Sequence, residues 1–589
     1  MQEILAHGRG RARRVRRALL PVACAILSAA PAGAQDTPSI AGWQPGDQQQ
    51  ALSAPASPPL LDTITVDVPA PRERAGAQAT VPTRGFRVAG VGEHPRHGIT
   101  PASIQALVDA RFRALAGDAP EAALTFAQLQ DVAAAVTRAY REAGFLVATA
   151  YVPAQTIGED GVVTLEALEG RLGRVLVEGN RRVRSSAIAA PARRLEGRSL
   201  HREEVDTALL SMRELPGVDT SVVLQPGEAP GETDMRVTAT EEARPYSVSL
   251  ATSNHGSPMT GRYRAQVGLA WRNALGLGDV FSASYAHGFS PEQSSAVSVG
   301  MQVPLQAVDG LSMVASYLRS EMEVAGGPFA SLGLSGPTTN AQLGLDWTFR
   351  HRPRLLVSGT LRLARERSRL QALGFTLSDQ AFDVVDAGFV LRHAARRSRG
   401  VNLVQANVRR ALSDRSRGSD LVTPARESDW TLARLALARM QFLTPSQRLF
   451  ARFYGQYTGD VLVPMKQIAL GGPDSVRSLP VSDALGDRGY QATLEYQVDA
   501  PGFADMPSPF GARRWGDLLR LQLFTDHGRA WSAAGGASHR YTGAGAGLRL
   551  HLPHLHDLEL QFAAAVPVGG SDPSDGDDLR TWLRLGMAF

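Results

Sequence analysis

The sequence predicts a membrane all-β fold, in which a transmembrane β-barrel follows two small α/β units. Three observations predict this fold. The chain begins with the pattern of an export signal, the residues from about Tyr246 to Phe589 alternate between apolar and polar, and the residues before them repeat one order of helices and strands. Because a bilayer core offers no partner to unpaired backbone groups, strands cross it only as a closed barrel.

Residues 1–34 have the pattern of a signal peptide. Six arginines precede the apolar stretch Ala18–Ala30, and Ala32-Gly33-Ala34 offers small residues for cleavage. The stretch is too short to span a bilayer as a stable helix. The only cysteine, Cys24, lies inside it, so we expect a mature chain without disulfides. Lipidation of Cys24 is the alternative, although Pro21-Val22 fits a lipobox poorly.

Composition excludes several other classes. The formal charge of the 589 residues is +5, and the arginines are scattered along the chain. No basic stripe therefore argues for nucleic acid. Residues 35–84 are rich in Pro, Gln, Ala and Ser, a composition that cannot bury a core. They are predicted to form a periplasmic tether.

Residues 85–169 and 170–242 are predicted to be two copies of one α/β unit, which is typical of a repeat array. Periodicity predicts the same order in both copies: strand, helix, helix, strand, strand. The first copy has a strand at Phe86–Val91, a helix at Pro101–Ala116, a helix capped by Thr125 that ends at Gly144, and strands at Phe145–Val152 and Val162–Leu168. The second copy opens with a strand at Leu172–Val177, has helices near Ser186–Leu195 and Arg202–Leu215, and ends with strands at Ser221–Leu224 and Thr233–Thr240.

Residues 243–589 are assigned to the barrel because their strands alternate at period two. Tyr263–Arg272 and Tyr490–Asp499 place apolar residues on one face and polar residues on the other, as lipid outside and water inside require. Six of the seven tryptophans lie in this region, as expected for interfacial girdles: Trp271, Trp347, Trp430, Trp515, Trp531 and Trp582. A soluble β-sandwich also alternates and is the alternative.

Two motifs in the barrel region predict an ion pair. Gly471-Gly472 opens a loop that carries Arg477, and strand parity turns Asp526 inward. Because an arginine fork binds a carboxylate bidentately, we expect a salt-bridged loop inside the lumen. The alternative is that Arg477 is an ordinary solvated loop residue.

Catalytic and cofactor signatures fail. Lys466 is the only lysine, and Gln467 follows it, so the chain contains no phosphate-binding G-K-[ST] loop. No nucleophile elbow, H-E-x-x-H or C-x-x-C occurs either. The cluster from His551 to Asp557 is interrupted by Pro553 and is interpreted as a turn, with a metal site as the alternative. We therefore expect no cofactor, no metal and no enzyme.

With these motifs in order, the chain from Phe86 to Phe589 resembles the two-partner secretion transporters, the TpsB family of filamentous-haemagglutinin and haemolysin exporters. The resemblance is carried by Tyr140-Arg141-Glu142-Ala143-Gly144-Phe145, Val152-Pro153-Ala154-Gln155, Val476-Arg477 and Phe524-Thr525-Asp526-His527-Gly528. The family's glycine and aromatic residue after the arginine are Ser478 and Leu479 here.

The resemblance implies a sixteen-stranded barrel, two periplasmic POTRA domains and ATP-independent export of a large β-helical protein across the outer membrane. It implies a gating loop and its wall site, formed by Gly471, Gly472, Val476, Arg477, Phe524, Asp526 and Gly528. It implies cargo binding near Tyr140, Gly144, Phe145, Pro153 and Gln155. The terminal Phe589 resembles an assembly signal for outer-membrane barrels.

The implied partners are a secreted TpsA-like exoprotein, outer-membrane lipid, and the barrel-assembly machinery and periplasmic chaperones during biogenesis. Two other functions stay open. One is a barrel-assembly insertase of the same superfamily, which usually has more POTRA copies. The other is a passive porin with periplasmic binding domains. The sequence leaves open the identity of the cargo, the oligomeric state and the presence of an N-terminal plug helix.

Overall fold

The computed structural model describes residues 64–66, 80–117, 119–257, 259–290, 294–324, 331–395, 398–418, 426–536 and 538–589. The predicted signal peptide and most of the predicted tether lie outside the described residues. Within the tether, β1 (Ile64–Val66) is a strand that lies on the second α/β unit. None of the helices in the described residues is long and apolar enough to cross a membrane.

The first α/β unit has the predicted order of elements, with a short strand added at its start, a 3-10 turn before the first helix and a short strand before the second helix. Its elements are β2 (Thr80–Thr83), β3 (Gly85–Ala89), the 3-10 turn Pro95–His97, α1 (Pro101–Ala116), β4 (Ala122–Thr125), α2 (Phe126–Glu142), β5 (Thr149–Tyr151) and β6 (Val162–Leu168). The strands pair in the order β3-β6-β5 and, separately, β2-β4. Helix α2 begins where Thr125 accepts a hydrogen bond from the backbone N–H of Gln128, as its sequence predicts.

The strand predicted at Phe145–Val152 is much shorter in the structure, because its first residues close the preceding helix. The N–H of Phe145 donates to the carbonyl of Tyr140 at 3.0 Å. The Phe145 side chain is buried in the core of the unit. Regular pairing therefore begins only at Thr149.

The second α/β unit repeats the plan with fewer extra elements. It contains β7 (Arg171–Glu178), α3 (Ser185–Arg193), α4 (Arg202–Arg213), β8 (Val218–Pro226) and β9 (Glu232–Glu241). Its sheet has the order β1-β8-β9-β7, and β1 pairs parallel to β8, with Ile64 opposite Val222. Residues 64–66 thus differ from an unstructured tether, because their Ile-Thr-Val sequence has high strand propensity and meets a free sheet edge.

The prediction of a sixteen-stranded barrel is confirmed. The remaining elements are β10 (Tyr246–Ser253), β11 (Tyr263–Arg272), β12 (Val280–Phe289), β13 (Ser294–Pro304), β14 (Leu311–Glu323), β15 (Ser335–Arg352), β16 (Leu355–Ala372), β17 (Phe375–Ala395), β18 (Gly400–Asp414), β19 (Thr431–Phe442), β20 (Gln447–Thr458), β21 (Ile468–Leu470), β22 (Ala484–Gly486), β23 (Arg488–Asp499), α5 (Trp515–Leu518), β24 (Leu519–Trp531), β25 (Ser538–Leu552), β26 (Leu558–Gly570) and β27 (Arg580–Ala588). All of these strands except β21 and β22 form one closed antiparallel barrel of sixteen strands in chain order. The His551–Asp557 cluster lies at the turn between β25 and β26.

The barrel closes where its first and last strands meet. Strands β10 and β27 pair from Ser249 opposite Ala588 to Ser253 opposite Arg584. The terminal Phe589 extends this seam, since it exchanges two backbone hydrogen bonds with Val248, at 2.8 and 3.1 Å. The C-terminus is therefore part of the barrel wall.

Four of the six barrel-region tryptophans fall into an exposed pair and a buried pair, and the girdle prediction is wrong for the buried pair. Trp271 and Trp347 are exposed on the outer face, as an interfacial position requires. Trp430 and Trp582 are buried inside the barrel, where each contacts a residue of a loop that folds into the lumen. Both indoles find a packing surface there, and Trp582 also finds an acceptor in the carbonyl of Arg477, whereas the indole nitrogen of Trp430 makes no hydrogen bond with the described residues.

Candidate functional site

The candidate site is built around the loop that joins β20 to β23, residues 459–487, which we call the inner loop. It leaves the barrel at the end opposite the α/β units and returns into the lumen. Its two short strands pair from Ile468 opposite Gly486 to Leu470 opposite Ala484. Gly471 and Gly472 then turn the chain with φ values of 107° and 101°, a backbone that side chains rarely adopt.

Arg477, near the tip of the inner loop, is held by two carboxylates of the barrel wall. Its Nε and Nη2 donate to the two oxygens of Asp526 at 2.8 and 3.0 Å, and its backbone N–H donates to Asp526 Oδ2 at 3.1 Å. Its Nη1 donates to Glu495 Oε2 at 3.0 Å. Arg477 is 7% exposed and Asp526 1% exposed. The predicted ion pair is thus bidentate, buried and reinforced by a second acid.

Three more side chains fix this arrangement, which we call the tip lock. Thr493 donates to Asp526 Oδ1 at 2.8 Å, and the Trp582 indole donates to the carbonyl of Arg477 at 2.8 Å. The guanidinium carbon lies 3.3 Å from the centroid of the Phe524 ring, so the cation stacks on an aromatic face. All the wall residues that contact Arg477 or Asp526 in this arrangement come from β23, β24 or β27, so three strands of the wall together form the binding site for the tip.

Glycines of the wall leave space for the tip of the inner loop. A Cβ at Gly528 would lie 2.9 Å from a Val476 methyl, and a Cβ at Gly543 would meet Ser478. These two glycines are on adjacent strands, β24 and β25. A larger residue at either position would displace the tip.

The two residues that depart from the family motif fit this seat. Ser478 does not have a positive φ, so its backbone does not require glycine. Its side chain faces Gly543. Leu479 is fully buried in an apolar cluster with Val476, Leu470 and Tyr541. An aliphatic side chain that is fully buried thus occupies the position of the motif's aromatic residue.

A cavity of about 120 Å³ remains beside the tip lock. Its lining includes both sides of the lock and polar groups of the wall: His255, Arg452, Asp474, Arg477, Glu495 and Trp582. Arg452 donates to the carbonyl of Asp474 at 2.9 Å, which ties the loop to β20 as well. The inner loop is therefore anchored at several points of this wall.

The candidate cargo residues of the first α/β unit separate into buried and exposed groups. Tyr140 and Phe145 are 1% and 2% exposed, so their side chains pack in the core. Gly144 has a φ of 100°, and a Cβ there would meet the His201 ring of the second unit. Gln155 is exposed, and its neighbour Pro153 is half-buried. Of the five, Gln155 is the exposed residue, and Gly144 and Pro153 are half-buried.

Gln155 lies beside the edge of the first sheet. Its side-chain amide donates to the carbonyl of Thr164 and accepts from the N–H of Thr164, both at 2.8 Å. Thr164 belongs to β6, and β5 pairs only with residues 166–168 of that strand. The amide of Gln155 therefore takes the place of a neighbouring strand at this edge.

Glu169 joins the two α/β units through its hydrogen bonds. It was not predicted from the sequence as a functional residue. It accepts hydrogen bonds from the Gly92 N–H, the His94 ring, the Tyr140 hydroxyl and the Ser199 hydroxyl. Burial raises the pKa of Glu169, but the hydrogen bonds from His94, Gly92 and Tyr140 outweigh burial and hold this pKa below its usual value. Burial and the nearby carboxylate raise the pKa of Tyr140.

Sequence reasoning also missed Glu495, Thr493, Trp582 and Gly543. A signal for the first two was present, because they share the inward parity of Gln491 in β23. Trp582 lies on the same parity as Arg584 in the last strand. Nothing in the local sequence distinguished Gly543 from the neighbouring glycines of β25.

Comparisons of sequence place these features in a family. A sequence model described as "Haemolysin secretion/activation protein ShlB/FhaC/HecB" matches residues 231–550, more than half of the chain. A second, "POTRA domain, ShlB-type", matches residues 94–170. The outer membrane transporter CdiB of Dickeya dadantii is 25% identical over 373 residues, which are 60% of this chain and 63% of that protein. The hemolysin transporter protein ShlB of Serratia marcescens is 24% identical over 462 residues, 76% of this chain and 80% of that protein.

Among solved structures, CdiB from Escherichia coli is similar to the fold of this chain. The superposition has a TM-score of 0.68 at 20% identity and covers 94% of this chain and 100% of CdiB. At this identity the similarity supports the fold, a barrel with α/β units before it.

Proposed function

Because the chain belongs to the haemolysin secretion/activation family ShlB/FhaC/HecB of outer-membrane transporters, we propose that it exports a large β-helical exoprotein of the TpsA type. The cargo passes through the lumen of this barrel, and the inner loop closes the lumen until the cargo arrives. The observation that carries the proposal is the buried ion pair of Arg477 with Asp526 and Glu495. It fixes a loop inside the conduit through contacts that can be broken without opening the wall.

The α/β units bind the cargo in the periplasm before it enters the barrel. An extended polypeptide adds to a sheet edge through main-chain hydrogen bonds. The edge at Thr164 has both of its hydrogen bonds filled by the amide of exposed Gln155. An arriving strand can replace that side chain at low cost, because it makes the same two bonds and the amide returns to water.

Export requires no nucleotide in this scheme. The single lysine is followed by Gln467, so the chain has no G-K-[ST] phosphate loop. Directionality comes from the cargo, which folds into its β-helix at the cell surface and cannot return.

Export through the lumen leaves the seam of the barrel closed, whereas insertion of clients sideways into the membrane has to open it. Strands β10 and β27 pair over five residue positions, and the exchange between Val248 and Phe589 prolongs that pairing. A lateral exit would have to break this continuous ladder. The tip lock, by contrast, blocks the axial path with side-chain contacts.

The experiment follows the appearance in the medium of a large β-helical exoprotein of the TpsA type that is expressed together with this chain. Wild type is compared with Asp526→Ala, with a deletion of residues 86–242, and with Asp499→Asn as a control. Asp499 is an inward carboxylate on β23 that pairs with Arg448 and Arg520 and does not bind the inner loop. We expect the deletion to abolish export, Asp526→Ala to change export and pore conductance, and the control to match wild type. Unchanged secretion in every variant would leave a porin or an insertase.

A further inference from the structure

The inner loop carries a second buried cation, far from its tip. Lys466 is the only lysine among 589 residues, and it lies on a 3-10 turn, Pro464–Lys466, in the first part of the loop. It is 3% exposed. Lysine is almost never fully buried unless it is paired, so its burial here needs a specific partner.

That partner is Glu366 of β16, itself 3% exposed, which forms an ion pair with the Lys466 ammonium through Oε2. The other oxygen of Glu366 accepts from Arg409 Nη2 at 2.7 Å. The Arg409 guanidinium also lies 3.0 Å from the Asp386 carboxylate. The buried charges of Lys466 and Glu366 thus compensate each other, and Arg409 and Asp386 extend the ion pair towards partly exposed groups; pairing is the condition under which buried charges are tolerated.

The chain next to Lys466 is packed against the same wall. Leu462 and Val463 are fully buried in an apolar cluster with Phe382 and Trp430, and the Lys466 ammonium lies 5.5 Å from the centroid of the Trp430 ring. The backbone carbonyl of Lys466 also accepts from the Gln456 amide at 2.8 Å. We call residues 462–467 the loop stem.

The carboxylates that hold the stem and the tip lie on different walls, although β20 contacts both parts of the loop, through Gln456 and Arg452. The stem's acid, Glu366, belongs to β16, and the tip's acid, Asp526, belongs to β24. These strands are six positions apart in the sixteen-stranded order, so they face each other across much of the lumen. No side chain of the Lys466 cluster is shared with the tip lock.

From these contacts we infer that Lys466 and Glu366 form a second latch, which holds the stem of the inner loop when the tip lock opens. Lys466 is a positioning residue for the inner loop. The loop leaves the lumen completely only when both the tip lock and the ion pair of Lys466 with Glu366 are broken. The inference deepens the proposed function, since it assigns a second control point to the same loop. It rests on that function only in that the loop has to move for cargo to pass.

The single lysine supplies its own test. Full-length protein in detergent is treated with an amine-reactive ester, and modification of Lys466 is followed by peptide mass mapping, which separates it from the N-terminal amine. The variants are Glu366→Gln, Asp526→Ala, the two combined, and Asp383→Asn as a matched control. Asp383 is a β17 carboxylate that pairs with Arg365 and Arg415 and does not bind the loop stem.

We expect slow modification of Lys466 in wild type, in Asp526→Ala and in Asp383→Asn. In Glu366→Gln the rate should rise about 100-fold, the change expected when one partner of a buried ion pair is lost. Pore conductance should rise far more in the combined variant than in either single one. Equal exposure of Lys466 in Asp526→Ala and Glu366→Gln would overturn the inference, because the stem would then follow the tip.

A second variant covers the case in which Glu366→Gln fails to fold, as judged by heat-modifiable mobility of the barrel. Lys466→Met keeps the packing on Trp430 and removes the charge. Combined with Asp526→Ala, it should raise conductance well above Asp526→Ala alone, and equal conductance would again overturn the inference. Because these measurements use no cargo, they stand or fail independently of the export assay.

Discussion

Replacing Asp526 should release the tip of the inner loop while the barrel stays folded. Asp526→Ala removes three hydrogen bonds from Arg477 and one from Thr493. The sixteen-stranded ladder of the wall does not depend on this side chain, because its hydrogen bonds are between backbone groups. The variant therefore separates loop docking from barrel stability.

The size of the free-energy change depends on the contacts that Arg477 keeps after Asp526 is replaced. Loss of one partner of a buried ion pair costs about 3–5 kcal/mol. Glu495 still binds Arg477 at 3.0 Å, so the arginine is not left without a counter-charge and we expect the lower end, about 3 kcal/mol. At 1.4 kcal/mol for each factor of ten, the equilibrium between docked and released tip shifts about 100-fold.

Thiol modification measures this equilibrium. Ser478 is almost fully buried beside Gly543 when the tip is docked, and Cys24 is the only cysteine in the sequence. In a Cys24→Ser background, a Ser478→Cys probe should react slowly in otherwise wild-type protein and about 100-fold faster with Asp526→Ala.

Asp499→Asn is the matched control, since it removes another inward carboxylate that the loop does not contact. Equal reactivity of the probe with and without Asp526→Ala would refute the reasoning. So would a similar acceleration in the Asp499→Asn control, because the effect would then reflect a loosened barrel. Heat-modifiable mobility of each variant reports whether the barrel is folded.

The other predictions concern the barrel wall at Gly543, the contact between the two α/β units at Glu169, which we call the joint, and the seam between β10 and β27. Gly543→Val should raise the reactivity of the Ser478→Cys probe without a change in charge, because the added methyls occupy the seat of the tip; unchanged reactivity would contradict this packing argument. Glu169→Gln should weaken the joint of the α/β units by about 1.5–3 kcal/mol, measured by hydrogen exchange in the full-length protein. The pKa of Glu169 is lowered in the folded state, so the ionised carboxylate stabilises the joint fully above its unfolded pKa. This stabilisation is lost as the pH falls through the folded pKa. At acid pH the hydrogen exchange of wild type should therefore approach that of the Glu169→Gln variant. Deletion of Phe589 removes two backbone hydrogen bonds to Val248. We therefore expect faster hydrogen exchange at the Val248 amide than in wild type. Equal exchange would mean that the seam does not need its last residue.

Much of the fold could be predicted because its signals are local. Helix α1 has the predicted bounds, Pro101–Ala116, since its Pro start and Thr100 cap are encoded within a few residues. Strand parity placed Asp526 inside the barrel, because alternation has a period of two wherever a strand separates lipid from lumen. The predicted strand at Phe145 was too long because a tertiary contact, its burial in the core, overrode local propensity.

The candidate site was predictable only in part. The Arg477 and Asp526 pair could be inferred because both residues stand in recognisable motifs. The stem latch could not, since Lys466 and Glu366 are 100 positions apart and neither lies in a motif. Trp430 was predicted to lie in an outer girdle, but it is buried inside the barrel. The presence of a tryptophan in the sequence does not show which face of the wall its side chain occupies.

By itself, then, the sequence determined the class of this protein: strands that alternate, two α/β units, and an arginine loop with an inward aspartate. Each of these features depends on residues that are close together in the sequence, so each can be predicted without the tertiary structure. Only the tertiary structure decided which walls hold the inner loop and where charges balance out of water. Barrel closure brings strands six positions apart to face one lumen, and burial there makes the pairing of each charge a property of the whole assembly.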